Sequence, residues 1–268
     1  MYAGLELALN DGEVAILSNI AEDHDFSAYD RIFPVGSKAT RHIISRTHAH
    51  QKVYVSLVPR HTYWSILKDN RDKALVKEGR LTAVYIDQPV GRIIRLAKEI
   101  YPEAKVYASL FGPNSRAYLP DMQSTLKDAG LGFRYRDINQ DDNPVTVIQG
   151  LVGEADIIIA LPDVAMYNRI IAKWLLYIAF ASRKPLIAFS DKYVDAGAAA
   201  AVFSTPSDIA ASVLWVLKKT NSRLNVEGYF PKFFTVKTNK RALATLRIHA
   251  PSDEVIHAKI IQFESTDD

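Results

Sequence analysis

The nine residues Ala155-Asp156-Ile157-Ile158-Ile159-Ala160-Leu161-Pro162-Asp163 constrain this chain more than any other stretch. An apolar run stops at Pro-Asp, and a long apolar segment with helical spacing follows, from Val164 to Ser182. A run too short for a helix and apolar on both alternating faces predicts a buried parallel strand that feeds a helix. In an open parallel sheet, ligands sit beyond the carboxyl ends of the strands. Asp163 stands at such an end. It either caps the following helix or faces a ligand, and one carboxylate can do both.

The same rhythm recurs along the chain. Strands are expected at Arg31–Val35, Lys52–Val58 and Leu81–Ile86, each followed by a helix pattern. After the turn Asp87-Gln88-Pro89 the alternation restarts, with strands at Val106–Phe111, Phe133–Asp137, Ile157–Leu161, Pro185–Phe189 and Ala200–Phe203. An alternating strand at Lys232–Thr238 and a short helix from Asn239 close the pattern. Strands alternating with helices mean parallel sheets covered on both faces. The expected class is therefore α/β, with two doubly wound, Rossmann-like lobes joined by a multi-strand hinge. The lobes are expected at 1–86 plus 201–223 and at 87–200 plus 224–268. The crossings fall near Tyr85–Pro89, Ala200–Thr205 and Leu224–Phe230, and several crossings at one hinge favour a clamshell. Before the helix expected at Tyr2–Leu9 no opening strand is found, which suggests that the first strand of lobe 1 is missing.

Bulk properties exclude several classes. With 268 residues, 48% of them hydrophobic, the chain has material for a full core. It has no cysteine, so disulfides, thiolate zinc sites and cysteine nucleophiles are ruled out. The net charge of +3 is small and scattered, and no nucleic-acid partner is expected. No apolar run reaches the ~18 residues of a membrane span. Neither GxxxxGK[ST] nor GxGxxG occurs, and Ser190-Asp191 lacks a GxSxG elbow. His48 and His50 have no carboxylate at metal-ligand spacing, and the His24 turn reads as acidic surface. Neither catalysis nor a cofactor or metal is expected.

Strand ends supply the candidate ligand residues. Gly36-Ser37, with Ala39 and Thr40 behind, opens a helix whose free amides and dipole suit an anion, although Ser37 also fits a plain cap. Arg60 can fork onto a carboxylate and Tyr63 can stack on a ring. Asn114-Ser115 again starts a helix, and Asp163 can take an ammonium group, with Tyr167 one turn on. Ser190 and Gly197 end the remaining strands. An anion site in one lobe and a carboxylate in the other suit a zwitterion such as an amino acid. The aromatics Tyr167, Trp174, Tyr177 and Phe180 are expected in the core.

Several segments together resemble a known family. They are Tyr29-Asp30 through Val35-Gly36-Ser37-Lys38-Ala39, Leu57-Val58-Pro59, Tyr85-Ile86-Asp87-Gln88-Pro89 and Ala160-Leu161-Pro162-Asp163 with Tyr167-Asn168. Tyr193-Val194-Asp195-Ala196-Gly197-Ala198, Phe203-Ser204-Thr205-Pro206 and Tyr229-Phe230-Pro231 complete the set. In this order, from about residue 2 to 250, they are similar to the uncharacterised ABC-transporter substrate-binding proteins, which are type I periplasmic-binding-protein-like. The resemblance implies an extracytoplasmic, two-lobed solute receptor that hands a small molecule to a membrane permease, and members bind solutes that include aromatic amino acids; a monomer is expected. It implies ligand-facing turns at Gly36–Ala39 and Pro162-Asp163, and less directly at Asn114-Ser115 and Ala196-Gly197. The chain departs from the family at its start, which shows neither signal peptide nor first strand. It also departs at Gly197-Ala198-Ala199, where Gly-Ala-Leu is usual. A ligand-sensing module of the same fold is the alternative function, and a two-lobed α/β transferase a more distant one.

Overall fold

A computed structural model describes residues 24–71, 73–139, 141–163, 169–219 and 224–266. The elements expected before residue 24 lie outside this range, as do Tyr167 and Asn168. In chain order the first elements are β1 (Arg31–Ile32), α1 (Ser37–Ile44), β2 (Lys52–Val58), α2 (Arg60–Asn70), α3 (Ala74–Lys77) and β3 (Leu81–Tyr85). Next come α4 (Val90–Ile100), β4 (Val106–Phe111), α5 (Leu119–Asp128), β5 (Gly132–Asp137), α6 (Pro144–Gly153) and β6 (Ile157–Ile159). Then follow α7 (Arg169–Ala181), β7 (Leu186–Ala188), α8 (Asp191–Asp195), β8 (Ala200–Phe203) and α9 (Pro206–Lys219). The last are β9 (Thr235–Thr238), α10 (Lys240–Leu246) and α11 (Asp253–Thr266). Among the described residues no helix is long and apolar enough to cross a membrane.

The chain divides into two compact units, 1–87 with 204–234 and 88–203 with 235–268. The third crossing therefore falls at 234/235, not at 224–230. Backbone bonds explain the difference: Leu224 N donates to Gly79 O, Tyr229 N to Ala83 O, and Tyr85 N to Tyr229 O. Residue 229 thus bridges β3 in parallel and holds this segment in the first unit.

In the first unit β1, β2 and β3 form a parallel sheet in that order. Side chains of a strand alternate between faces. Val53, Val55, Leu81 and Ala83 therefore pack one way, against Ile43 and Ile44 of α1 and Tyr63 and Ile66 of α2. Tyr54 and Val84 pack the other way, against Ile209, Val213 and Val216 of α9. Near its end β2 carries a bulge at Ser56/Val58, with Leu57 in the left-handed region at φ 54°. A left-handed non-glycine residue costs roughly 1–2 kcal/mol. It re-aims the chain just where the strand gives way to α2.

The second unit has a six-stranded sheet in the order β5-β4-β6-β7-β8-β9, parallel except for β9. Ala108, Leu110, Ile158, Ala160, Leu186 and Ala188 pack with α6 and α7 on one face. Helix α4 packs along β7 and β8. Helix α11 was not expected from the sequence. It docks through buried Ile256 and Ile260 and through a buried Arg92 forked onto Glu264 at 2.6 and 2.9 Å. The signal was present as apolar residues at 256, 260 and 263, behind Ser252-Asp253-Glu254.

One expectation is overturned. Helix α7 buries Leu175, Ile178 and Ala179, but Trp174, Tyr177 and Phe180 are exposed. A single sheet face accepts one stripe of a helix, and this helix is apolar round most of its circumference, Arg169 and Lys173 apart. The aromatics lie on the stripe left over.

Candidate functional site

In the first unit three strand ends lie side by side. Gly36 follows β1 and donates its N–H to Ser56 O of β2 at 2.9 Å. Its φ of 86° and ψ of 164° belong to a region open only to glycine. That turn starts α1, and no side chain caps it. Thr40 N and Thr40 Oγ1 both donate to Gly36 O, at 3.1 and 2.8 Å. The Thr40 hydroxyl is buried and used in this way, so it is not offered to a ligand. Among the described residues no acceptor meets the amides of Ser37, Lys38 or Ala39. Ser37 and Ala39 are half-buried. Free amides at a positive dipole end are the physical makings of an anion site.

At the end of β2, α2 begins with Arg60. Its own amide is taken by the buried carboxylate of Asp87. Its guanidinium lies over the Trp64 ring at 4.4 Å and 5.4 Å from the Phe230 ring centroid. Trp64 is 46% exposed, and its indole N–H donates to Tyr85 Oη at 3.2 Å. Tyr85 stands edge-on to Phe230. Burial pushes the Tyr85 hydroxyl above its ordinary value, against the opposing pull of the Trp64 bond and the Arg60 charge. Tyr85 also meets Gly228, where an added Cβ would sit 2.8 Å from its hydroxyl oxygen. The result is a shelf of cation and rings at the carboxyl edge of the sheet.

Tyr63 is no part of this shelf. It is fully buried and donates its hydroxyl to Val226 O at 2.8 Å, so it cannot stack on a ligand. Tyr63 and Ile66 share the inner face of α2, and Trp64 takes the outer one. The sequence placed an aromatic ring here and chose the wrong neighbour. Trp64, Tyr85 and Phe230 were missed because their meeting depends on segment 224–230 joining β3. Ile86, 41% exposed, follows β3.

In the second unit the strand order reverses between β4 and β6, which is the switch point where doubly wound sheets bind ligands. The chain fills that point itself. Asp163 is 3% exposed. Its Oδ2 accepts from Asn114 N at 3.0 Å, Ser115 N at 2.7 Å and Ser115 Oγ at 2.8 Å. Gly112 N in turn donates to Ser115 Oγ at 2.9 Å. A carboxylate thus sits where an anionic ligand group would go, at the amides that open the helical stretch Ser115–Tyr118 and α5. Ser115 and Asp163 satisfy each other. The geometry gives Asp163 a structural job through Oδ2, stitching the ends of β4 and β6. Asn114 is half-buried beside them.

The last two residues lie further along the same edge. Ser190 precedes α8, is half-buried and makes no capping bond. Gly197 has φ 122° with open space about its Cβ position. Among the described residues no three potential ligands gather for a metal ion.

The fold is that of type I periplasmic binding proteins. A substrate binding protein with adhesive properties from Clostridium difficile, in its ligand-free, open structure, superposes with a TM-score of 0.70. The two are 17% identical, over 94% of this chain and 91% of that one. The ABC domain in complex with L-Trp from Streptococcus pneumonia gives a TM-score of 0.58 at 17% identity, over 85% of this chain and 77% of that one. A conserved domain protein from Vibrio cholerae gives 0.60 at 17%, over 85% and 76%. No protein-family profile and no curated protein sequence matches the chain.

Proposed function

We infer that the chain is a solute receptor, the extracytoplasmic binding component of an ABC-type uptake system, and that it takes a small amino-acid-like ligand. The observation behind this is the pairing of two features on one sheet edge of the first unit. Uncapped amides open α1, and the Arg60–Trp64–Phe230 shelf opens α2. The first suits a carboxylate. The second offers a ring face and a cation to a flat or aromatic side chain. The solved structures similar in fold include a substrate binding protein and an ABC domain in complex with L-Trp, which supports this reading. Delivery to a membrane permease and a monomeric state belong to the same proposal, as does a location outside the cytoplasm.

A single substitution separates donor from scaffold. Ser37 is the first residue of α1, a position that accepts proline without loss of helix. Ser37→Pro removes one amide donor and leaves Gly36 in its extended ψ, as a residue before proline requires. Isothermal titration against a panel of amino acids and their amides reads the effect. The free acid is expected to lose roughly tenfold or more in affinity, the worth of one hydrogen bond to a charged group. The matching amide loses less. Equal losses for acid and amide would refute the carboxylate seat, and a panel without any binder would refute the receptor reading.

A further inference from the structure

We propose that the outer face of α7 is a docking surface for anionic phospholipid. Ile170, Trp174 and Tyr177 follow at steps of four and three, which places them on one helix face, with Phe180 beside them. They are 64%, 39%, 63% and 47% exposed. The opposite face is the one spent on the core, through Leu175, Ile178 and Ala179. Trp174 and Tyr177 meet edge-on with ring centroids 6.0 Å apart. The stripe runs about 16 Å along the helix. A face turned only to water has no use for three large rings.

Charge names the occupant. No acidic residue occurs between Asp163 and Asp191, while Lys173 and Arg183 are exposed on and just beyond α7. Helix α6, which packs beside α7, carries no charged side chain at all. Among the described residues no carboxylate pairs with Lys173 or Arg183. A second copy of this face would set like charges together, and four partly exposed side chains fall short of the ~800 Å² per partner of a stable protein interface. An anionic bilayer surface meets both features. Tryptophan and tyrosine settle at headgroup depth, and lysine and arginine gain from the negative surface potential.

The test is sedimentation of the full chain with vesicles of phosphatidylcholine, with and without phosphatidylglycerol. The chain is expected to sediment with the anionic vesicles only, and less so as salt rises. Lys173→Glu changes the charge by two units and should lower partitioning about 30-fold, at about fivefold per unit charge. Tyr177→Ser with Phe180→Ser should lower it about tenfold or more. All three positions are exposed, so an unchanged unfolding midpoint certifies the fold. Absence of binding to anionic vesicles overturns the proposal. So does binding that these variants leave unaltered. A concentration-dependent dimer abolished by Tyr177→Ser would assign the face to a second copy and equally overturn it.

Discussion

Removing the Asp163 carboxylate tests the stitched switch point most directly. In Asp163→Ala three donors lose their acceptor: Asn114 N, Ser115 N and Ser115 Oγ. They do not suffer equally. The Ser115 hydroxyl can turn to Gly112 O, 3.4 Å away. Asn114 is half-buried, so its amide can recruit water. Ser115 is fully buried, and its amide is orphaned. A buried unsatisfied donor costs about 1–3 kcal/mol, and bonds to a charged acceptor are worth about 1.5–3. With partial rescue at two of three donors, the loss should be about 3 kcal/mol. In a unit of this size that lowers the melting temperature by roughly 6–12 °C. Asp163→Asn keeps one side-chain oxygen for these donors and gives up the charge, a smaller loss at the three bonds of about 1 kcal/mol. Differential scanning calorimetry is the assay, since two units can melt in separate transitions and only that of the second unit should move. A loss under ~0.5 kcal/mol in Asp163→Ala would refute the reasoning. Equal losses in the two variants would assign the effect to charge and not to capping.

Two further outcomes follow from the same geometry. Gly36→Ala meets open space, so its cost is purely conformational; φ 86° with ψ 164° predicts a loss of about 1–3 kcal/mol, read from denaturant unfolding. Asp156 is held below the usual carboxylate range, first by the Lys105 amide and then by that of Val106, both at 2.9 Å, with the Lys184 charge adding less. A carboxyl lowered by folding stabilises above its unfolded value of ~3.9 and loses that contribution as pH falls through its folded value. The deficit of Asp156→Asn at neutral pH should therefore shrink below pH ~4 in unfolding curves. A deficit constant with pH would place the effect elsewhere.

Periodicity alone determined most of the elements. The buried runs at Lys52–Val58, Leu81–Tyr85 and Val106–Phe111 become strands because only a covered parallel sheet buries both faces of such a run. The turn chemistry at Gly36 was legible too, since local backbone geometry follows from local residues. Tertiary structure decided what depends on distant partners. It chose Trp64 over Tyr63 at the edge of the first unit, because the inner face of α2 was claimed by the core. It drew 224–234 into the first unit by pairing residue 229 with β3, which no local pattern announces. It turned the outer stripe of α7 to solvent, because a helix apolar round most of its circumference does not say which stripe the sheet will take. And at Asp163 it supplied a role that the sequence did not show, holding the end of β4 through the Asn114 and Ser115 amides. Only the register of β4 and β6 brings the amides of Asn114 and Ser115, some fifty residues away in the chain, onto that carboxylate.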